Sequence, residues 1–189
     1  VWQNEAHQFT PWLARPENLR LLGDAIGMEL QVEEEEVAVG PFAADLLCKD
    51  TSDDSWVVVE NQVRKTDHSH LGQVLTYAAA LEARTVVWIG ASFTDEHRAA
   101  LDWLNRNTTE ELSFYGLEIE LWRIGDSPPA PKFNVVSRPN IYSQDVKQRV
   151  AGGTSELQQR QYEYWIEFKK WLESNTEFRT HKPGFQNWL

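Results

Sequence analysis

The chain has 189 residues, 25% of them charged, and a formal net charge of -11. No apolar run approaches the roughly 20 residues of a membrane helix, and the N-terminal stretch mixes charged with aromatic side chains, unlike a secretory signal. A single cysteine excludes an intramolecular disulfide framework and a cysteine-based zinc site, and the acidic balance counts against avid, sequence-independent binding to nucleic acid without a local basic patch.

The size suits one domain, or one domain with part of another. Residues 5–26 carry an apolar face of Phe9, Trp12, Leu13, Leu19, Leu22 and Ile26, which predicts a helix divided at Pro16. Met28 to Val39 reads as a strand. Its two ends alternate out of phase around Glu33 to Glu36, which predicts a bulge or bend, and the acidic run suits a solvated sheet edge. Gly40-Pro41 marks a turn, residues 43–49 a second strand, Asp50 to Asp54 another turn, and residues 56–62 a third strand.

Asp67 to Glu82 reads as a helix capped by Thr66 or Asp67. Thr85 to Gly90 is a buried strand. Thr94 to Asn105 is an amphipathic helix with Ala99, Leu101 and Leu104 on its apolar side. Leu117 to Ile124 and Phe133 to Val136 supply the last strands. The order α-β-β-β-α-β-α-β-β predicts a three-layer α/β/α domain with a mixed central sheet over residues 1–140. Residues 141–189 read as a polar linker, a helix over Ser155 to Ser174, and an apolar end at Phe185 to Leu189, as at the start of a truncated second domain. The initial Val1 suggests a natural start further upstream, and the missing export signal suggests the cytoplasm.

Three places in this order carry chemistry. The second strand holds Asp45, the third ends in Glu60-Asn61-Gln62, and the following helix holds Gln73 and Tyr77 one turn apart. Glu60 and Gln62 share a strand face with Cα atoms roughly 6–7 Å apart. Asp45 and Lys49 share a face of their strand by the same rule. Adjacent buried carboxylates repel each other and invite a compensating cation. Asp45 and Glu60 suit Mg²⁺ or Mn²⁺, which take a few carboxylate oxygens together with waters and phosphate, and the residue 61 carbonyl is a further candidate ligand.

These residues resemble the PD-(D/E)XK nuclease superfamily, whose core runs α-β-β-β-α-β with an Asp on the second strand and (D/E)-x-K on the third. Asp45 and Glu60 match the two acidic positions. Gln73 and Tyr77 resemble the Q-x-x-x-Y motif of the RecB-like branch. A narrower resemblance, carried by the stretch from Glu60-Asn61-Gln62 through Thr66-Asp67-His68, then Leu71-Gly72-Gln73 and Trp122-Arg123-Ile124-Gly125-Asp126, is to bacterial proteins of that superfamily. The resemblance implies a restriction-endonuclease-like core. It also implies a metal-dependent nuclease acting on DNA, less expected on RNA, with Asp45 and Glu60 as metal ligands and Gln73 and Tyr77 near substrate.

Gln62 departs from the pattern, because the superfamily usually has Lys there. It can donate a hydrogen bond and so orient water, but it carries no charge. Lys49 or Lys65 could supply the cation, although Lys49 lies roughly 13 Å along the strand from Asp45. Glu5, Glu29 and Glu33 compete as an additional acidic ligand. Arg64, Lys65, Arg84, Arg138 and Lys147 are candidates for a basic patch. The alternative to an active nuclease is a nuclease-fold module that binds nucleic acid or a protein partner without turnover. A third reading is a structural subunit docking through Trp165 and Phe168. Asp67-His68-Ser69-His70 reads as a helix start with exposed histidines rather than a zinc site, and His97 as a surface residue.

Overall fold

The computed structural model describes residues 2, 4–109 and 112–139, and further on Arg160, Tyr164, Ile166, Glu167, Phe168, Trp171 and Ser174. The chain divides into two units, Val1–Asn140 and Ile141–Leu189. In the second, every described position is helical. Most of the expected Ser155–Ser174 helix, Trp165, Lys147 and the Phe185–Leu189 end lie outside the described residues.

The first unit opens with a π-helical turn, Glu5–Phe9, whose His7 N–H donates to the Asn4 side chain. It runs into α1, Thr10–Leu13, and then α2, Pro16–Ile26. Pro16 stands at the first turn of α2, where its missing N–H costs nothing, so it starts a helix rather than kinking one. Gly27 ends α2 in the left-handed region at φ 76°.

Six strands follow in sheet order β1-β2-β3-β4-β5-β6. They are β1 Leu30–Val39, β2 Phe42–Asp50, β3 Trp56–Lys65, β4 Thr85–Ser92, β5 Ser113–Trp122 and β6 Ala130–Ser137. Helix α3, His68–Ala80, links β3 to β4, and α4, Asp95–Asn107, links β4 to β5. Both crossovers make parallel pairs, while β1-β2, β2-β3 and β5-β6 are antiparallel, so the sheet is mixed. The phase change in β1 is a register shift between Val32 and Glu34 against β2. Glu33 to Glu36 are exposed on this edge strand, where charge discourages pairing with another sheet.

Period-2 alternation sorts the strand residues into two layers. Val57 and Val59, with Val87 and Ile89, pack beneath Phe9, Leu13, Leu19 and Leu22 of the N-terminal helices. Val58 faces the other way with Tyr77, and Val86 and Trp88 pack with Val74, Leu101 and Phe114. Helices therefore cover both faces, and the α-β-β-β-α-β order is the restriction-endonuclease-like arrangement expected above.

One polar side chain completes the sheet where a strand falls short. Pairing of β5 with β6 begins at Gly116. At Phe114 the buried Asn105 amide takes the place of a strand: its Nδ2 donates to the Phe114 carbonyl at 2.8 Å, and its Oδ1 accepts from the Phe114 N–H at 2.9 Å. Asn105→Ala strands both backbone groups in the interior. It should cost about 2 kcal/mol in denaturant unfolding, whereas Asn107→Ala on the exposed face should stay within about 0.5 kcal/mol.

Candidate active site

Leu46 lies opposite Val59 in the antiparallel β2-β3 pair, so one further step of that register sets Asp45 against Glu60. The Asp45 carboxylate is held from two elements. Its Oδ2 accepts the Asn61 N–H at 2.7 Å, and its Oδ1 meets the Thr10 hydroxyl at 3.5 Å. Thr10, fully buried in α1, in turn accepts from Asn61 Nδ2 at 3.1 Å. Glu60 is 4% exposed, and its Oε2 has no hydrogen-bond partner.

Burial pushes both carboxylates up, and the charges of Glu5 and Glu36 act in the same direction. Glu60 rises to about 9, with Asp45 the largest charge against it. Asp45 rises to about 7, restrained by the Asn61 N–H. As a pair they keep at least one proton near neutral pH unless another positive charge replaces it.

Among the described residues no three His, Cys, Asp or Glu side chains converge as a ready ligand set. The residues do fit a hard divalent ion that keeps most of its water. Two adjacent buried carboxylates and an unpartnered carboxylate oxygen are what such an ion would satisfy.

Of the three competing acidic residues, Glu5 is the one turned to this end of the sheet. Its Oε1 accepts the Val63 N–H at 3.0 Å, and Arg64 Nε lies 3.7 Å away. Glu29 is engaged with Thr51 at the start of β1. Glu33 is exposed, and its charge is felt at Lys49 and Cys48 rather than at the pair. Glu36, which has φ 54° in β1, is an additional charge on both carboxylates that the sequence reading did not single out.

Gln62 is 1% exposed and donates from Nε2 to Asp67 Oδ2 at 2.7 Å. Asp67 caps α3, where its Oδ1 accepts the His70 N–H at 3.0 Å and lies 2.9 Å from His70 Nδ1. Burial tends to raise Asp67, but His70 and Gln62 outweigh it and hold the carboxyl at about 2. Tyr77 is fully buried, so its ring is core and not a surface platform. Burial pushes its hydroxyl to about 12, and Glu60 adds to the shift. Gln73 lies close enough to that hydroxyl to oppose the shift, yet neither Tyr77 OH nor Gln73 Oε1 completes a hydrogen bond of good geometry.

Several expectations need correction. Lys49 is turned away: its Nζ is 2.9 Å from Asp54 and 5.7 Å from the centre of the Trp56 ring, because the β2-β3 turn brings both to its end of the strand. Lys65 is exposed at the end of β3, and its charge reaches Glu96 and His97 rather than the pair. Arg84 is engaged with Asp53, and Arg138 is exposed. His97 is buried, not on the surface. Its Nδ1 is 2.8 Å from the Thr66 hydroxyl and its Nε2 is 2.8 Å from His68 Nδ1. Burial, with His68 beside it, lowers its pKa. The His70 side chain is only 15% exposed, since Asp67 holds it. Ala99, expected on the buried side of α4, is exposed.

No protein-family model and no curated protein matches the sequence. Solved structures similar to this chain include a repair endonuclease from Pyrococcus abyssi, at 21% identity and a TM-score of 0.45 over 62% of this chain and 48% of that one. EndoMS in complex with dsDNA aligns at 19% identity and 0.46, over 62% and 46%. SfsA from Pyrococcus furiosus in complex with Ca²⁺ aligns at 14% and 0.37, over 69% and 63%. The chain thus spans less than two thirds of each, and similarity at this level assigns no residue a role.

Proposed function

We propose that the domain is a Mg²⁺- or Mn²⁺-dependent nuclease of the PD-(D/E)XK type, in its RecB-like branch, acting on DNA in preference to RNA. The observation that supports this best is the buried Asp45–Glu60 pair with the unpartnered Glu60 Oε2. When bound, a divalent ion would lower the pKa of a water and neutralise charge on the scissile phosphate. Asp45 and Glu60 would hold it. Thr10 and Asn61 fix the Asp45 carboxylate, so its geometry is set before substrate arrives. Gln62, Gln73 and the Tyr77 hydroxyl supply buried, unpartnered polar atoms that would hold waters of the ion beside the substrate. Arg64 and Lys65, exposed just beyond on β3, would face the phosphate backbone.

A second reading, a module of the same fold that binds nucleic acid or a protein without turnover, is favoured by one observation. No lysine stands at position 62, and Lys49 is committed to Asp54. Incubation of the purified chain with single- and double-stranded DNA and with RNA, in Mn²⁺, Mg²⁺ or EDTA, separates the two. We expect cleavage of DNA that stops in EDTA. No cleavage of any substrate, with DNA still retarded on a native gel, would reject the enzyme and leave the module.

A further inference from the structure

The residue at position 62 offers the site an oxygen rather than a hydrogen-bond donor. A glutamine amide has a donor end and an acceptor end, and which one faces the site is set by what the other end binds. Asp67 decides the matter here. A carboxylate oxygen accepts, so the Gln62 amide turns its NH₂ toward Asp67 Oδ2 at 2.7 Å. The opposite flip would press two oxygens together at that distance. Asp67 cannot swing away easily, because its Oδ1 is engaged with the His70 N–H and imidazole at the first turn of α3.

The consequence is a second buried oxygen without a partner. Gln62 Oε1 makes no hydrogen bond, on a side chain 1% exposed, and Glu60 two residues earlier on the same face leaves Oε2 equally unpartnered. An unpaired amide oxygen in the interior costs free energy comparable to a lost hydrogen bond. Two such oxygens on one strand face call for a positive group between them: the proton that the raised Glu60 carboxyl keeps in the metal-free chain, or the cation that would displace it. We infer that Asp67 is a positioning residue that locks the Gln62 carbonyl oxygen toward Glu60, making Gln62 a neutral oxygen donor to the divalent ion or to its water. This rests on the cation reading of the Asp45–Glu60 pair. It reverses the role expected of position 62 from sequence, because the amide nitrogen that would have oriented water is already spent on Asp67.

Calorimetric titration of the whole chain with Mn²⁺ tests the assignment. Gln62→Met removes the oxygen at similar volume and should weaken Mn²⁺ binding about tenfold or more. Asp67→Asn should also weaken it about tenfold, the usual effect of losing an outer partner of a metal ligand. Asparagine caps a helix as well as aspartate does, so α3 should survive, and metal-free melting of each variant checks this. A spectroscopic readout is independent of binding strength. In ¹⁵N–¹H spectra, the Gln62 side-chain NH₂ should keep its hydrogen-bonded shift when Mg²⁺ is added, and should move in Asp67→Asn. If Glu60→Gln abolishes Mn²⁺ binding but both other variants bind within about twofold of wild type, the Gln62 assignment fails and the cation reading stands. Release of the NH₂ signal on adding Mg²⁺ would also overturn the assignment. If the wild-type chain binds no Mn²⁺, both fall together.

Discussion

Replacing Glu60 with glutamine should stabilise the metal-free protein at pH 8, by an amount on the order of a few kcal/mol. Glu60 is buried against Asp45, and its pKa in the folded chain rises from 4.5 to about 9. A carboxyl with a raised folded pKa favours folding while it is protonated. Its contribution is therefore fully present below about pH 4.5 and is lost as pH climbs toward 9. Asp45 works in the same direction between 3.8 and about 7. Asp67 works in the opposite sense, but its folded pKa of about 2 places its loss in acid, below this window. The wild-type protein in EDTA should thus melt at lower temperature at pH 8 than at pH 5.5, and Glu60→Gln should flatten that slope.

The general self-repulsion of a chain with net charge -11 also weakens the fold at high pH. The variant isolates the local part, because it changes a single charge in a side chain that is 4% exposed. Mg²⁺ should raise the melting temperature of wild type at pH 8 and move the variant much less, since the variant keeps the Asp45 charge but lacks the second carboxylate that would hold the ion. A Glu60→Gln protein less stable than wild type at pH 8 in EDTA would show that Glu60 is not a repelled charge.

Much of this arrangement was legible in the sequence, because strand and helix periodicities are local signals. Alternation through β2 and β3 put Asp45 and Glu60 on neighbouring strands, and the mismatch of parity in β1 marked its register shift. What failed depended on contacts between distant segments. Thr10 and Asn61 are 51 positions apart, and Asn61 lies on the opposite strand face from Glu60, so no periodicity linked either to Asp45. Lys49 has the right parity, yet a short turn gives it Asp54 at 2.9 Å, and a long reach back to Asp45 cannot compete. The misplacement of His97 was avoidable. Its neighbours Glu96 and Arg98 are charged, but His97, Leu101 and Asn105 recur every four residues and form the buried stripe of α4.

The acidic balance also becomes intelligible at the level of particular residues. Lys49 and Arg84 are each paired with a carboxylate of the β2-β3 turn, so they add nothing to the small basic patch of Arg64 and Lys65. Affinity for a polyanion would then depend on the ion held by Asp45 and Glu60 more than on lysines and arginines. Substrate retention should accordingly require divalent metal as well as low salt.

That dependence makes Asp45 the most sensitive position. Asp45→Asn keeps the size of the side chain and an oxygen to accept the Asn61 N–H now bound at 2.7 Å, so the fold should persist. It removes one of the two charges proposed to hold the divalent ion. Mn²⁺ affinity should fall at least about tenfold, and cleavage by about 10²-fold or more, the scale of losing a principal electrostatic stabiliser. Thr10→Val is the matched comparison. It deletes the hydroxyl 3.5 Å from Asp45 Oδ1 and strands Asn61 Nδ2, leaving the carboxylate charged but less firmly held. Its effect on cleavage should be about tenfold, with Mn²⁺ affinity reduced less than in Asp45→Asn. The order of the two variants carries the argument. A charge that binds metal must matter more than the hydroxyl that aims it, so equal losses would assign Asp45 a purely structural part. Wild-type cleavage by Asp45→Asn would remove this carboxylate from the active site altogether.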